Sequence, residues 1–209
     1  CIPPLPEPEL RTIARSIVRY AVETATTEPS ALGHTTASRM MEFIGAQEWL
    51  WEKWLPIGHM TLMAGLAGVG KSVLALHLEI SVASGGCWPD HTQVPGEPGH
   101  VIHMEAEGFH GGYAERLRNW GVARDVTDRL IWPGEDGLST ICLNDPRHLQ
   151  WAEQMVDDYQ AKLMVVDSLR QAVRDDENDS SIAQTLKPLV DLCRHKRCAL
   201  LVLHHIGKS

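Results

Sequence analysis

The chain has 209 residues, of which 44% are hydrophobic and 22% are charged, and its formal net charge is −8. These proportions are those of a folded globular protein, and they exclude a disordered, collagen-like or coiled-coil chain. The acidic balance excludes a basic nucleic-acid-binding module by bulk charge, so a nucleic-acid partner would need a local basic surface.

Cysteine usage and the start of the chain bear on the compartment. The cysteines are odd in number and scattered, which is typical of reduced thiols in a reducing compartment; they are Cys1, Cys87, Cys142, Cys193 and Cys198. No apolar run approaches the roughly 18 residues of a membrane span, and the proline-rich start is not a secretory signal. We expect a soluble, cytoplasmic protein with no membrane partner. Because the chain opens on a cysteine and closes just after a predicted strand, we expect it to be a piece of a longer polypeptide.

The first 42 residues are predicted to be a linker with a helix. Residues 1–9 are rich in proline, whereas residues 10–22 have apolar side chains at helical spacing. The polar stretch 26–39 is predicted to be a loop, and an aromatic-rich approach with Trp49, Trp51 and Trp54 follows. We expect residues 43–209 to form the core domain. The alternatives for the preceding helix are the end of an upstream domain and a segment that docks on another subunit.

From His59 onward, apolar strand-length runs alternate with helical patterns. Strands are predicted over residues 59–64, which we expect to be buried, and over 100–104, 130–132, 163–166 and 199–203. Helices are predicted over residues 72–83, 112–120, 146–160 and 181–195. This alternation implies crossover connections, and hence an α/β fold with a mainly parallel sheet and helices on both faces.

A glycine-rich loop between the first strand and the first helix of the core carries the strongest motif. Residues 65–72, GLAGVGKS, fit the phosphate-binding pattern G-x-x-x-x-G-K-[ST] at every defined position. Glycines let successive backbone N–H groups curl around a phosphate at a helix N-terminus. Lys71 would reach the β- and γ-phosphates, and the Ser72 hydroxyl would hold Mg²⁺. The residues expected to contact the nucleotide are Gly65, Gly68, Val69, Gly70, Lys71, Ser72 and Val73.

An acidic residue ends the apolar strand predicted over 163–166. Asp167 follows directly, at the carboxyl end of a strand where ligands of parallel sheets bind. Beside a phosphate-binding loop, such a carboxylate binds Mg²⁺ directly or through water. Ser72 and Asp167 are therefore predicted to coordinate the metal. The site is predicted to bind ATP together with Mg²⁺.

Two further carboxylates follow the strand predicted over 100–104. ATP hydrolysis needs a carboxylate to orient or deprotonate water, and no acid directly follows Asp167. Alternation makes Glu105 and Glu107 point the same way if the strand extends, so spacing does not choose between them. The alternative is a solvated acidic loop without a catalytic role.

Adjacent histidines end the last predicted strand. His204 and His205 could form a polar cap or a metal pair, but consecutive strand side chains face opposite ways, which disfavours binding of one ion by both. Beside a phosphate-binding loop, one of them could instead hydrogen-bond the γ-phosphate.

In this order the motifs resemble the RecA-like ATPases of the RepA-type hexameric helicase group, found as AAA-type ATPase regions of phage and plasmid replication proteins. The resemblance covers about residues 43–209. It is carried by the segments WLPIG at 54–58, GLAGVGKS at 65–72, AEG at 106–108, VVDS at 165–168 with Glu177 and Asn178 after it, and HH-x-x-K at 204–208.

The resemblance implies roles for several residues. Glu107 takes the position of the catalytic glutamate, Lys71 that of the phosphate-binding lysine, and His205 that of the γ-phosphate sensor. Lys208 takes a place from which a basic residue reaches a nucleotide held by the neighbouring subunit. Such proteins form homo-oligomeric, typically hexameric rings with ATP between subunits and single-stranded DNA in the central channel.

The expected function is an ATP-hydrolysing motor of DNA replication, a helicase acting on single-stranded DNA. The alternatives are a recombination or regulatory ATPase similar to RadA or KaiC, and a nucleotide-dependent scaffold with negligible turnover. The resemblance also implies that the core is truncated at its C-terminus, because the family has further strands and a DNA-facing loop.

Overall fold

Residues 33–173 and 181–206 are described by the computed structural model of the chain. The chain divides into two compact units, Cys1–Ala46 and Gln47–Ser209. In the first unit a short helix, α1 (Ala37–Phe43), begins where the Thr36 hydroxyl accepts a hydrogen bond from the backbone N–H of Arg39 at 3.3 Å. It starts inside the stretch predicted to be a loop, because this cap offsets the polar composition. The helix predicted over 10–22 lies outside the described residues.

In the second unit a small antiparallel hairpin precedes the main sheet. The hairpin strands are β1 (Trp49–Trp51) and β2 (Leu55–Pro56). The main sheet contains β3 (Met60–Gly65), β4 (Val101–Glu105), β5 (Leu130–Ile131), β6 (Leu163–Asp167) and β7 (Ala199–His205). Its order is β3-β7-β6-β4-β5, and all four pairings are parallel.

Four of the described helices begin and end within two residues of their predicted bounds: α2 (Lys71–Ser84), α3 (His110–Asn119), α5 (Pro146–Tyr159) and α7 (Ser181–Lys196). Two short helices lie between them, α4 (Arg124–Thr127) and α6 (Leu169–Ala172). Gly85 ends α2 in the left-handed conformation, and the Asp145 side chain caps α5 by accepting the N–H of Arg147. Helices α4 and α6 were not predicted, since four residues are too few to show a helical period.

Alternating side chains of the strands enter two separate hydrophobic clusters. Leu200 and Val202 of β7 pack on one face with α5, α6 and α7, whereas Leu201 and Leu203 pack on the other with α2 and the hairpin. Each fully buried leucine or valine contributes roughly 1.5–3 kcal/mol relative to an exposed one. The predicted α/β fold, a RecA-like P-loop core with helices on both faces of a parallel sheet, is confirmed.

The prediction that β3 is a buried strand was wrong. Within the described residues β3 is an edge strand, and its side chains alternate between partly buried and exposed, with Leu62 47% exposed. Nevertheless its register with β7 places Gly65 beside His205, and the register of β4 with β6 places Glu105 beside Asp167. The predicted chemistry therefore collects at the carboxyl edge of the sheet. Among the described residues, no helix has the length and apolar character needed to cross a membrane.

Candidate active site

The glycine-rich loop joins the end of β3 to the start of α2. Gly68 and Gly70 have φ angles of 78° and 94°, in the left-handed region that favours glycine. Gly70 is the N-cap of α2 and offers no side chain to the first turn. The first N–H groups of an α-helix have no partner within the helix. Those of Lys71, Ser72 and Val73 are therefore available to an anion, which the helix dipole favours there.

Lys71 lies folded against this loop. Its side chain is largely buried, with 7% of the residue exposed. The Nζ atom donates hydrogen bonds to the carbonyl oxygens of Gly65 at 2.9 Å and Leu66 at 3.0 Å. The ammonium group is thus held at the mouth of the loop, where a phosphate cradled by the loop would meet it.

His205 connects Lys71 to Glu107. Its Nδ1 lies 3.1 Å from Nζ of Lys71, and its Nε2 lies 3.0 Å from Oε1 of Glu107. Because a lysine ammonium only donates, Nδ1 must accept, so the proton of the neutral imidazole sits on Nε2 and is donated to Glu107. The Ser168 hydroxyl donates to the same Glu107 oxygen at 2.6 Å. Two donors therefore fix the position of the Glu107 carboxylate.

Asp167 is buried beside the loop, with one oxygen engaged and one without a partner. The phenol of Tyr113 donates to Oδ2 of Asp167, whereas Oδ1 is buried and has no hydrogen-bond partner. Tyr113 also interacts with the Ser72 hydroxyl. Burial raises the pKa of Tyr113, and the charge of Asp167 raises it further, so the phenol stays protonated and donates. The two predicted metal ligands thus share Tyr113 as a neighbour.

This arrangement fits a divalent cation. A buried carboxylate oxygen without a partner is costly, and a hard cation such as Mg²⁺ satisfies it with the oxygen ligands it prefers. Ser72 and Asp167 would hold the ion, which would neutralise phosphate charge as ATP reacts.

The two candidate glutamates lie in different environments. The strand β4 ends at Glu105, so the alternation that would have aligned Glu105 with Glu107 does not apply. Glu105 is fully buried, and its Oε1 accepts the backbone N–H groups of Glu107 at 2.7 Å and Phe109 at 3.2 Å. The Glu107 side chain is 34% exposed and faces His205. Of the two, only Glu107 lies where it can meet water and a phosphate.

A buried histidine lies behind these glutamates. His103 contacts Glu79 through Nδ1 at 2.9 Å and Glu105 through Nε2 at 3.4 Å. Burial alone would lower the pKa of His103, but the charge of Glu79 and the hydrogen bonds with Glu105 and Glu79 raise it to about 9. Burial likewise would raise the pKa of Glu105, yet the hydrogen bonds from His103 and from the N–H of Phe109 lower it. Both groups are therefore charged near neutral pH.

Residues 26–209 match the family described as AAA domain, a region that covers most of the chain. The chain belongs to the AAA domain family. No curated protein matches the chain at a significant level. The AAA domain is a P-loop ATPase domain, and the loop at 65–72 that binds phosphate in such domains lies within the matched region.

Membership of the AAA domain family connects the residues around the glycine-rich loop with the binding of a nucleotide. In such domains the glycine-rich loop binds the nucleotide. In this chain Lys71, His205 and Glu107 are joined by contacts at that loop, and Asp167 lies at the end of β6 on the same edge of the sheet. Their individual roles stay predictions, since the family match concerns the domain as a whole. Lys208, Glu177 and Asn178 lie outside the described residues, so their predicted roles have no structural counterpart here.

The histidine pair at the end of β7 is placed as alternation requires. His205 faces the AAA domain's P-loop, whereas His204, its neighbour, points to the other side of the strand. Within residues 33–173 and 181–206, no group of three or more His, Cys, Asp or Glu side chains is placed to hold a metal ion. This geometry favours His205 as a phosphate-side residue over a histidine metal pair.

Tyr113, His103 and Glu79 are site residues that the sequence analysis missed. A tyrosine on an amphipathic helix is usually a core residue, so the sequence around Tyr113 does not indicate a place in the active site. Glu79 and His103 did leave a signal, because Glu79 is a carboxylate in the middle of a largely apolar helix and His103 is an imidazole inside a strand that is apolar up to its last residue. Such residues are rarely buried without a specific partner.

Proposed function

We propose that this AAA domain is the ATP-hydrolysing motor of a DNA replication helicase of the RepA type, acting as a homo-oligomeric ring on single-stranded DNA. The observation that carries the proposal is the contact of one histidine, His205, with both Lys71 and Glu107. A motor must couple the state of the bound nucleotide to a change elsewhere in the protein. A strand end that contacts both the phosphate-binding lysine and the water-orienting carboxylate supplies such a coupling.

The geometry of the site supports a separate role for each of three residues. Lys71 binds the β- and γ-phosphates, and Glu107 orients the attacking water and takes its proton. His205 exchanges its contact with Lys71 for one with the γ-phosphate when ATP is bound. Loss of that phosphate on hydrolysis then alters the position of the β7 end, which is the kind of order change that nucleotide switches use.

The DNA-binding part of the proposal depends on the resemblance of the motifs to those of the RepA-type helicases. A net charge of −8 is compatible with DNA binding in a ring only if basic groups gather at the central channel. By the same resemblance, the proposed role of Lys208 is to stabilise charge on the nucleotide of the neighbouring subunit. Mg²⁺ held by Ser72 and Asp167 completes the proposed site.

The test is the rate of ATP hydrolysis by the intact protein with and without single-stranded DNA, followed by a strand-displacement assay. We expect strong stimulation by single-stranded DNA, weaker stimulation by duplex DNA, and strand separation that requires ATP. The Lys71→Ala variant, purified in the same way, is the control for contaminating ATPases.

Each other outcome supports a different function. DNA-stimulated hydrolysis without strand separation would favour a RadA-like recombination ATPase. Hydrolysis that ignores DNA would favour a KaiC-like regulatory ATPase, and ATP binding without turnover would favour a scaffold.

A further inference from the structure

Three ionisable side chains form a buried line beneath the candidate active site. Glu79 on α2 and His103 and Glu105 on β4 are each 0% exposed. His103 lies between the two carboxylates, with Nδ1 at 2.9 Å from Glu79 and Nε2 at 3.4 Å from Glu105. Burying three ionisable groups is costly unless they are paired. Such an arrangement calls for a role beyond filling the core.

The two oxygens of Glu105 face different partners. Oε2 faces His103, whereas Oε1 accepts the N–H groups of Glu107 and Phe109. These two N–H groups belong to the turn that leaves β4, in which Gly108 has a φ angle of 77°. Glu105 therefore ties the turn that carries Glu107 to the buried line behind it.

The histidine at the centre of this line is held by aromatic rings. Trp132 stacks on the imidazole of His103 with a centroid distance of 3.9 Å, and the edge of Tyr113 approaches it at 4.8 Å. Tyr113 in turn donates to Asp167. The imidazole is thus confined to an orientation in which both nitrogens meet carboxylates.

We propose that Glu105 is a positioning residue for Glu107, and that His103 and Glu79 hold it in place. The inference rests on the proposed role of Glu107 in ATP hydrolysis. Glu105 cannot act as the base itself, because it is fully buried and its oxygens are engaged by His103 and two backbone N–H groups. By accepting hydrogen bonds from the turn, Glu105 keeps the Glu107 carboxylate within hydrogen-bond distance of His205 and Ser168.

Two substitutions at Glu105 separate positioning from catalysis. In Glu105→Gln the amide oxygen can still accept both N–H groups, and the amide NH₂ can donate to a neutral His103. A positioning residue therefore tolerates this change, and we expect kcat to stay within about threefold of wild type. Glu105→Ala removes the acceptor, so we expect kcat to fall roughly tenfold or more while KM for ATP changes less than about twofold.

Hydrogen–deuterium exchange gives a readout that does not depend on turnover. In Glu105→Ala the amides of Glu107 and Phe109 lose their acceptor, so the turn at 106–109 should exchange on the order of tenfold faster, whereas Glu105→Gln should retain wild-type protection. The exposed Glu115→Gln variant, which carries the same chemical change on α3, is the control for both measurements.

The outcomes are distinct. Loss of turnover in Glu105→Gln as complete as in Glu107→Gln would overturn the inference, as would unchanged exchange of the turn in Glu105→Ala. If Glu105→Ala does not fold, the comparison of the two Gln variants decides alone. DNA plays no part in these measurements. A wild-type protein that hydrolyses ATP but ignores single-stranded DNA would therefore refute the helicase proposal without affecting this one.

Discussion

The Nδ1 atom of His205 accepts a hydrogen bond from the Nζ atom of Lys71 at 3.1 Å, across 134 residues of chain. Parallel pairing of β3 with β7 creates this contact, because the register sets Gly65 beside His205. The lysine of the glycine-rich loop and the histidine that faces Glu107 are therefore in direct contact.

Replacing His205 tests this connection. An asparagine side chain at position 205 is too short to contact Lys71 and Glu107 together. For His205→Asn we therefore expect turnover to fall about 10- to 100-fold while ADP affinity changes little. Steady-state ATPase assays and titration with a fluorescent ADP analogue measure the two quantities. His59→Asn, at an exposed histidine, should behave as wild type. Equal losses of binding and turnover would show that His205 merely supports the loop.

Lys71→Ala should weaken ATP binding and abolish measurable turnover, because the charge that stabilises the migrating γ-phosphoryl group is removed. Losses of roughly 100-fold or more in kcat are typical of such a group. Lys187→Ala, at an exposed lysine paired with Asp191, serves as the matched control. Wild-type turnover in the Lys71 variant would contradict the assignment of the P-loop.

Glu107→Gln should retain nucleotide binding and slow hydrolysis about 100-fold or more, since the amide can still accept from His205 and Ser168 but cannot take a proton from water. Single-turnover hydrolysis of bound ATP isolates this step from product release. Normal hydrolysis in Glu107→Gln would remove Glu107 from the catalytic role.

Tyr113→Phe should weaken the metal site selectively. Removal of the Tyr113 hydroxyl leaves Asp167 without the donor that orients its carboxylate. The Mg²⁺ concentration for half-maximal turnover should therefore rise roughly tenfold. Titration of ADP binding with and without Mg²⁺ provides a second measurement. Tyr159→Phe, at a partly exposed tyrosine that packs on His100, is the matched control. A change of ADP binding that is equal with and without Mg²⁺ would argue against an effect on the metal.

The stability of the protein should decrease at alkaline pH because of His103. Its pKa is about 9 in the folded protein and ordinarily 6.5, so the folded state binds the proton more tightly. The resulting stabilisation is fully present below about pH 6.5 and is lost as pH rises through about 9. It amounts to at most about 3 kcal/mol.

Urea unfolding across this pH range measures the effect, with His103→Gln as the comparison. The variant should be less stable at neutral pH, and its free energy of unfolding should vary much less between about pH 6.5 and 9. If the free energy of unfolding of both proteins varied with pH in the same way, the loss of stability would come from groups other than His103.

The sequence alone predicted most of the fold. Strand and helix periods depend on local side-chain spacing, and the ends of α2 and α5 were marked by Gly85 and by Asp145 with Pro146. The exposure of β3 was missed, because an apolar run has the same composition at an edge and in the centre of a sheet.

The phosphate-binding loop could be read directly because all its residues are contiguous and its function depends on backbone conformation. The choice between Glu105 and Glu107 could not, since it depends on where β4 ends and on which backbone N–H groups turn toward Glu105. The resemblance favoured Glu107, and the burial of Glu105 supplies the physical reason.

The sequence by itself thus determined a P-loop, a parallel α/β core and the acids that end its strands. Only the tertiary structure decided that Tyr113 donates to Asp167, 54 residues away, and that His103 joins Glu79 to Glu105. These contacts join residues distant in the chain, and no periodicity or local propensity encodes them. They exist because parallel strands and the helices between them bring separate segments to one edge of the sheet, where burial forces polar groups to find partners.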